Sequence, residues 1–258
     1  MPVARLVSVI VATRDRPKLL AEALASIRAL EGPDLRFEIL VGDNGGLPES
    51  KEVAERYGAI HQYTPKNYCP APRNLAMRRV TGEFLAFLDD DDLWLPDHIR
   101  KHIEILDDNP DFAGVFGQIV STTPDLEPLG DPWPEDVPSD GDFFMMLMSG
   151  YFPQVGGTLF RASVLETHGY MDETLIGDSD WDWQIRIASV QKFGFVAIPS
   201  VLFRQRPQGT FNKMQLRRSA FTRRIFVRHS IPNRHRWRSW KSLIRSYYAC
   251  QTYYWLYF

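Results

Sequence analysis

Only two cysteines, Cys69 and Cys250, occur in 258 residues. That is too few for a disulfide framework, and reduced thiols point to a cytoplasmic setting. No apolar run approaches the roughly 18 residues that a membrane-spanning helix requires. Residues 1–10 lack a long apolar stretch ending in a small-residue cleavage site, so no secretory signal is expected there. No glycine falls in the loop Ala12-Thr13-Arg14-Asp15-Arg16, which argues against the glycine-rich phosphate loop of a nucleotidyltransferase. The pair His98 and His102 lacks the glutamate of a His-Glu-x-x-His zinc site and is expected on a solvated helix face. No Ser-His-Asp or Cys-His signature suggests a covalent nucleophile. Acidic residues are missing from the whole carboxyl-terminal part: all 32 precede Trp183, whereas half of the 30 basic side chains follow it. The formal net charge of −2 therefore hides an acidic body and a basic tail. The acidic body would repel nucleic-acid phosphate, so no nucleic-acid partner is expected.

What is present is a globular composition, 44% hydrophobic and 13% aromatic, with enough apolar area for a sizeable core. The β-branched apolar run at residues 6–12 and the apolar run at 84–88 read as buried strands, and residues 37–42 and 59–63 as further strands. They alternate with helical patterns at residues 17–27, 49–57, 74–80 and 98–106. Strands alternating with helices imply an α/β fold with a mostly parallel sheet and right-handed crossovers. Ligands then bind beyond the carboxyl ends of the strands. Three polar clusters, at residues 13–16, 43–46 and 89–92, follow strands directly and are expected to converge on one edge. In the second half, residues 115–121, 156–160 and 195–203 read as strands. Residues 143–148, 162–168 and 180–190 read as helices, the last with Trp183, Ile185, Ile187 and Val190 partly buried. The expected division is residues 1–120, 121–205 and a basic carboxyl-terminal extension, 206–258.

Four consecutive aspartates, Asp89 to Asp92, follow the apolar run FLAFL. Carboxylates so crowded repel one another and titrate high unless cations compensate them. Hard cations such as Mg²⁺ or Mn²⁺ take oxygen ligands, commonly one or two carboxylates together with phosphate oxygens. The bland reading is a surface turn with Asp92 capping the next helix; the position at the ligand-binding edge favours a metal.

The segments VSVIVATRDRPKLLAEAL (7–24), FEILVGDNGG (37–46), NYCPAPRNLAMRRVTGEFLAFLDDDDLWLPDHI (67–99) and GDSDWDWQIRIA (177–188) together resemble glycosyltransferase family 2. The resemblance implies a GT-A fold, with a Rossmann-like sheet, and an inverting transferase. It implies a nucleoside-diphosphate sugar donor, a UDP- or dTDP-sugar, and a divalent metal, Mn²⁺ or Mg²⁺. The acceptor it implies is a glycan, a lipid-linked sugar or a natural product. Carried over, Ala12, Thr13, Arg14 and Asp15 line the nucleotide, Asp43 accepts a hydrogen bond from the base, and Arg73 lies near the nucleotide. Asp89 and Asp90 serve the ribose or a metal-bound water, and Asp91 is the main metal ligand. Asp180 matches the catalytic base, with Asp178 and Asp182 as rivals. Residues 178 and 182 share a helix face at i, i+4, from which 180 points away. Where family members carry an acidic pair, Asn44 follows Asp43, and Ser179 stands in place of a glutamate.

In the tail, Arg228, Arg234, Arg236, Arg238, Lys241 and Arg245 interleave with Trp237, Trp240, Tyr247, Tyr248, Tyr253, Tyr254, Trp255 and Phe258. That mixture fits a helix packed on the acidic body or on a second subunit, giving a homodimer. Because aromatics usually find a core, that packing is the preferred reading; the alternative is an interfacial helix in peripheral contact with the inner face of a membrane. Arg204 and Arg206 follow a strand end and are candidates for meeting a diphosphate. Trp181 and Trp183 either stack on an acceptor ring or join the core.

Overall fold

The computed structural model describes residues 4–135, 137, 141–151, 153–205 and 213–257, with backbone alone for 213–219 and 252–257. Arg206 and Phe258 lie outside the described residues, as do the side chains of Tyr253, Tyr254 and Trp255.

The alternating pattern of the first half yields β1 (Arg5–Thr13), α1 (Pro17–Arg28), β2 (Leu35–Asp43), α2 (Pro48–Arg56), β3 (Ile60–Tyr63), α3 (Pro70–Met77) and β4 (Phe84–Asp89). All four strands are parallel, in the order β3-β2-β1-β4. The short β5 (Leu93–Trp94) and α4 (His98–Asp108) come next. The sheet continues through β7 (Thr158–Arg161), β6 (Phe112–Thr122), β8 (Lys192–Arg204) and β5 without a break. β7 runs antiparallel to both β4 and β6, and β5 antiparallel to β8, whereas β6 and β8 are parallel. Between β6 and β8 lie α5 (Phe144–Leu147), a 3-10 turn (Val155–Gly157), α6 (Val164–His168) and α7 (Ser179–Ala188). α8 (Lys213–Ser230) and α9 (Trp240–Tyr257) complete the chain.

Successive side chains on a strand face opposite ways, so this sheet separates two cores. Val7, Val9 and Val11 of β1 and Phe84, Ala86 and Leu88 of β4 meet Leu20, Leu24 and Ile27 of α1 and Ile99 and Ile103 of α4. Ile10, Leu85 and Phe87 face the other core, built with Phe160, Trp183, Phe144, Phe226 and Trp237. β1 and β4 therefore read as nearly continuous apolar runs: both of their faces are covered.

Several expectations are corrected. α3 begins at Pro70, four residues before the expected start. Pro70 and Pro72 both sit in the first turn, where no intrahelical N–H bond is lost. The run 156–160 opens with the 3-10 turn, and its strand starts at Thr158. Val190 is 72% exposed because α7 ends at Ala188, leaving it beyond the periodic face. Trp181 and Trp183 are both core residues.

The pair His98 and His102 is buried, not solvated. Its face of α4 turns inward, where the His98 ring meets Trp94 at 5.1 Å and His102 at 5.4 Å, both edge-on. His98 Nδ1 donates to the Leu95 carbonyl at 2.8 Å. Burial pushes the His98 pKa down to about 4 and that of His102 well down. Histidine in an unfolded chain titrates near 6.5. Between those values the unfolded chain binds a proton that the folded chain excludes, so this contribution to stability is lost as the pH falls. Asp90 and Asp92, whose pKa values are raised, act in the opposite sense on acidification. A His98→Gln variant keeps a donor for Leu95 and isolates the histidine. Its loss of unfolding free energy in urea between about pH 7 and about pH 5 is expected to be smaller than that of the wild type by about 2 kcal/mol. Equal losses would show that His98 titrates normally.

Candidate active site

The strand register fixes the edge. Thr13 is level with Asp43, and Ala12 is level with both Gly42 and Asp89. Three apolar strands thus release their first polar residues side by side. The three clusters expected to converge do so.

Each cluster binds the next. Asp43 is fully buried; its Oδ1 accepts from the N–H groups of Gly45 (2.7 Å) and Gly46 (3.2 Å), and its Oδ2 pairs with His61 Nε2 at 3.0 Å. Asp43 therefore shapes the turn at the end of β2. A Cβ on Gly45 would fall 2.2 Å from Asp15 Oδ1, so only glycine lets the two loops close on each other. Asp15 itself adopts a left-handed backbone at φ 55°. Arg14 is exposed and donates to Asn67 Oδ1.

The four aspartates divide by direction. Asp90 points inward: Thr13 Oγ1 donates to its Oδ2 at 2.6 Å, and Arg16 Nη2 lies 2.6 Å from its Oδ1. Burial raises its pKa to about 6, against the opposing charge of Arg16. Asp89 accepts from Arg73, and Asp91 from Arg16 at 2.5 Å. Asp92, buried, accepts from the Arg204 N–H at 2.9 Å and from Gln154 Nε2 at 3.1 Å. It caps no helix, since α4 begins at His98. Burial, then the charges of Asp89 and Asp91, hold its pKa well above the usual range. Carboxylate oxygens of Asp89, Asp91 and Asp92 all lie within 4.8 Å of one another. A set of hard oxygen donors with compensable negative charge suits Mg²⁺ or Mn²⁺. The Arg204 side chain turns away to Glu22.

Arg73, 6% exposed, joins this cluster to α7. Burial works against its charge, but the negative charge of Asp89 and, more weakly, that of Asp180 help to outweigh it. Its neighbour Asn74 faces the other way. Its side chain bonds the backbone of Met171 twice, donating to the carbonyl at 2.8 Å and accepting from the N–H at 3.0 Å. Glu173 accepts from Lys66 (2.9 Å) and Tyr68 (2.8 Å), tying the same segment to the loop before α3. These contacts span about a hundred residues and left no local signal. In the sequence Asn74 was visible only as the residue after Arg73.

Asp178, Asp180 and Asp182 separate as helix geometry requires. Asp182 is fully buried and meets His229 Nε2 at 2.9 Å, Arg228 at 3.0 Å and Arg186 at 3.4 Å. Asp178, also buried, accepts from Thr222 at 3.4 Å. Both therefore face α8. Asp180 is half-buried, and its Oδ1 accepts from the Trp181 N–H at 3.0 Å. An Asp182→Asn substitution removes the charged partner of the buried His229 and one of the two carboxylates that Arg228 holds. It is expected to lower the unfolding free energy by about 2–3 kcal/mol, read as a reduced denaturation midpoint at unchanged m-value.

Comparisons with known proteins bear on this arrangement. The profile described as Glycosyl transferase family 2 matches residues 8–169. A Campylobacter jejuni protein named GalNAc(5)-diNAcBac-PP-undecaprenol beta-1,3-glucosyltransferase is 30% identical over 178 residues, 64% of this chain and 55% of that protein. The chain thus matches about half the length of that relative. The crystal structure of Staphylococcus aureus TarS 1–349 in complex with UDP-GlcNAc superposes with a TM-score of 0.72 at 16% identity, covering 97% of this chain and 73% of that one. A mannosyltransferase from Pyrobaculum calidifontis in complex with GDP-Man and Mn²⁺ gives 0.61 at 19% identity, covering 96% and 69%. At these identities the superpositions establish the shared fold.

Proposed function

The chain belongs to glycosyl transferase family 2, and from that premise we propose that it transfers a sugar from a nucleoside-diphosphate sugar to an acceptor hydroxyl with inversion. The observation that carries this reading is the edge where Asp89, Asp91 and Asp92 cluster, with Arg73 between them and Asp180. The proposed donor lobe is residues 1–120, the acceptor lobe 121–205, and the extension 206–258. Ala12, Thr13, Arg14, Asp15 and Asp43 form the wall for the nucleotide. Asp89 and Arg73 lie next to it. Asp90 acts through Thr13 and Arg16, which it holds in place. Asp91, with Asp89 and Asp92, would hold Mn²⁺ or Mg²⁺. Bound there, such an ion neutralises charge on the departing diphosphate. Asp180 takes the proton of the acceptor hydroxyl as the oxygen attacks the anomeric carbon. Attack opposite the leaving group inverts that carbon and needs no covalent enzyme intermediate. A glycan or lipid-linked acceptor is favoured by the name of the Campylobacter relative.

The test is a panel of nucleoside-diphosphate sugars incubated with Mn²⁺ or Mg²⁺, with release of the free diphosphate measured. One donor is expected to be consumed. Binding without release would mark a nucleotide-sugar-binding module, and neither binding nor release would overturn the proposal.

A further inference from the structure

The last described helix has two faces of opposite character. The inner face of α9 is fully committed. Trp237 Nε1 donates to Ser246 Oγ at 3.2 Å, and Ser246 Oγ lies 3.3 Å from Ser149 Oγ. Tyr247 packs on Phe226 at 5.4 Å, and the buried Cys250 Sγ donates to the Met148 carbonyl at 3.0 Å.

The outer face presents Trp240, Ile244 and Tyr248 at i, i+4 and i+8, exposed by 68%, 43% and 62%. Lys241 and Arg245, both exposed, run alongside at i+1 and i+5. Neither cation has an ion pair among the described residues. Several other tail cations are spent on the body: Arg228 pairs with Asp172 and Asp182, and Arg236 with Asp142. The basic excess after Trp183 therefore divides into a docking set and an outward set. No helix among the described residues is long and apolar enough to cross a membrane.

We propose that the Trp240–Lys241–Ile244–Arg245–Tyr248 stripe of α9 lies in the headgroup layer of an anionic phospholipid surface. An amphipathic interfacial helix needs an apolar aromatic edge that enters the boundary and flanking cations that meet lipid phosphate. Trp and Tyr favour that boundary because their rings are apolar and their tips polar. Charge complementarity selects the occupant. A two-fold pairing of this stripe with a second copy would set Lys241 and Arg245 against like charges, whereas an anionic leaflet attracts both. The inference goes beyond the proposed activity and does not depend on it, since vesicle binding is read without donor or acceptor.

Flotation of the full chain with vesicles decides it. The protein is expected to float with phosphatidylcholine–phosphatidylglycerol vesicles and not with phosphatidylcholine alone, and the binding should weaken as salt rises. A Lys241→Glu/Arg245→Glu variant should lose at least roughly 30-fold in partitioning. Trp240→Ser/Ile244→Ser should lose binding while keeping an unfolding midpoint close to that of the wild type, because both side chains are exposed and outside the core. Flotation with neither vesicle, equal flotation with both, or unchanged binding by the charge-reversed variant would each overturn the proposal. So would a dimer of the wild type, seen by sedimentation, that the same substitutions dissociate.

Discussion

Asp180→Asn is expected to reduce turnover by about 10²- to 10⁴-fold, the usual contribution of a positioned general base, while leaving donor affinity close to that of the wild type. Asparagine matches the carboxylate in size and still accepts from the Trp181 N–H. What it loses is the capacity to take a proton. The two neighbouring acids make the experiment informative. Asp182 is committed to His229, Arg228 and Arg186, so its substitution should show first as lost stability. Asp178 is buried against Thr222 of α8. Nearly full turnover by Asp180→Asn, with loss in Asp178→Asn, would move the base to Asp178.

Asp91→Ala should cost turnover about 10³-fold, several kcal/mol of transition-state stabilisation, and should also weaken Mn²⁺ binding. Of the three clustered carboxylates, Asp92 is buried and bonded through both oxygens, and Asp89 is held by Arg73. Asp89 and Asp91 are both partly exposed, but the partner of Asp91, Arg16, is about one-third exposed, whereas Arg73 is buried. Asp91 is therefore the carboxylate best able to change partners. Loss of affinity for Mn²⁺ should exceed the about 10- to 100-fold that removal of an outer-shell partner causes. Turnover that survives in Asp91→Ala with unchanged Mn²⁺ dependence would place the ion elsewhere.

How far the sequence reached depends on the range of the forces involved. The strand FLAFL followed by Asp89 to Asp92 was legible because burial on both faces of a parallel strand demands continuous apolar residues, and the first polar residue then marks the edge. Convergence of three such edges follows from parallel pairing alone. The direction of each acid was not legible. Asp90 turns in to Thr13 and Arg16 while Asp92 turns to Gln154 and Arg204, and those partners lie up to 112 residues away. The alternative reading of Asp92 as a helix cap rested on the usual role of a short acidic residue before a helix, but α4 begins only at His98. The His98 and His102 pair failed for a related reason: polar residues at i, i+4 suggest a wet face, and only the packing of α4 shows them dry. The tail presented two rival readings, body contact and surface contact. The structure gives the inner face of α9 to body contact and leaves Trp240, Ile244 and Tyr248 exposed on the outer face.

The most direct measurement is a calorimetric titration of UDP, dTDP and GDP into the wild type and Asp91→Ala, each with and without Mn²⁺. The expected result is one diphosphate that binds the wild type at least about tenfold more tightly with Mn²⁺, a gain that Asp91→Ala loses. Binding that is indifferent to Mn²⁺, or equal in the two proteins, would contradict a nucleotide–metal site at the carboxyl edge of β1, β2 and β4.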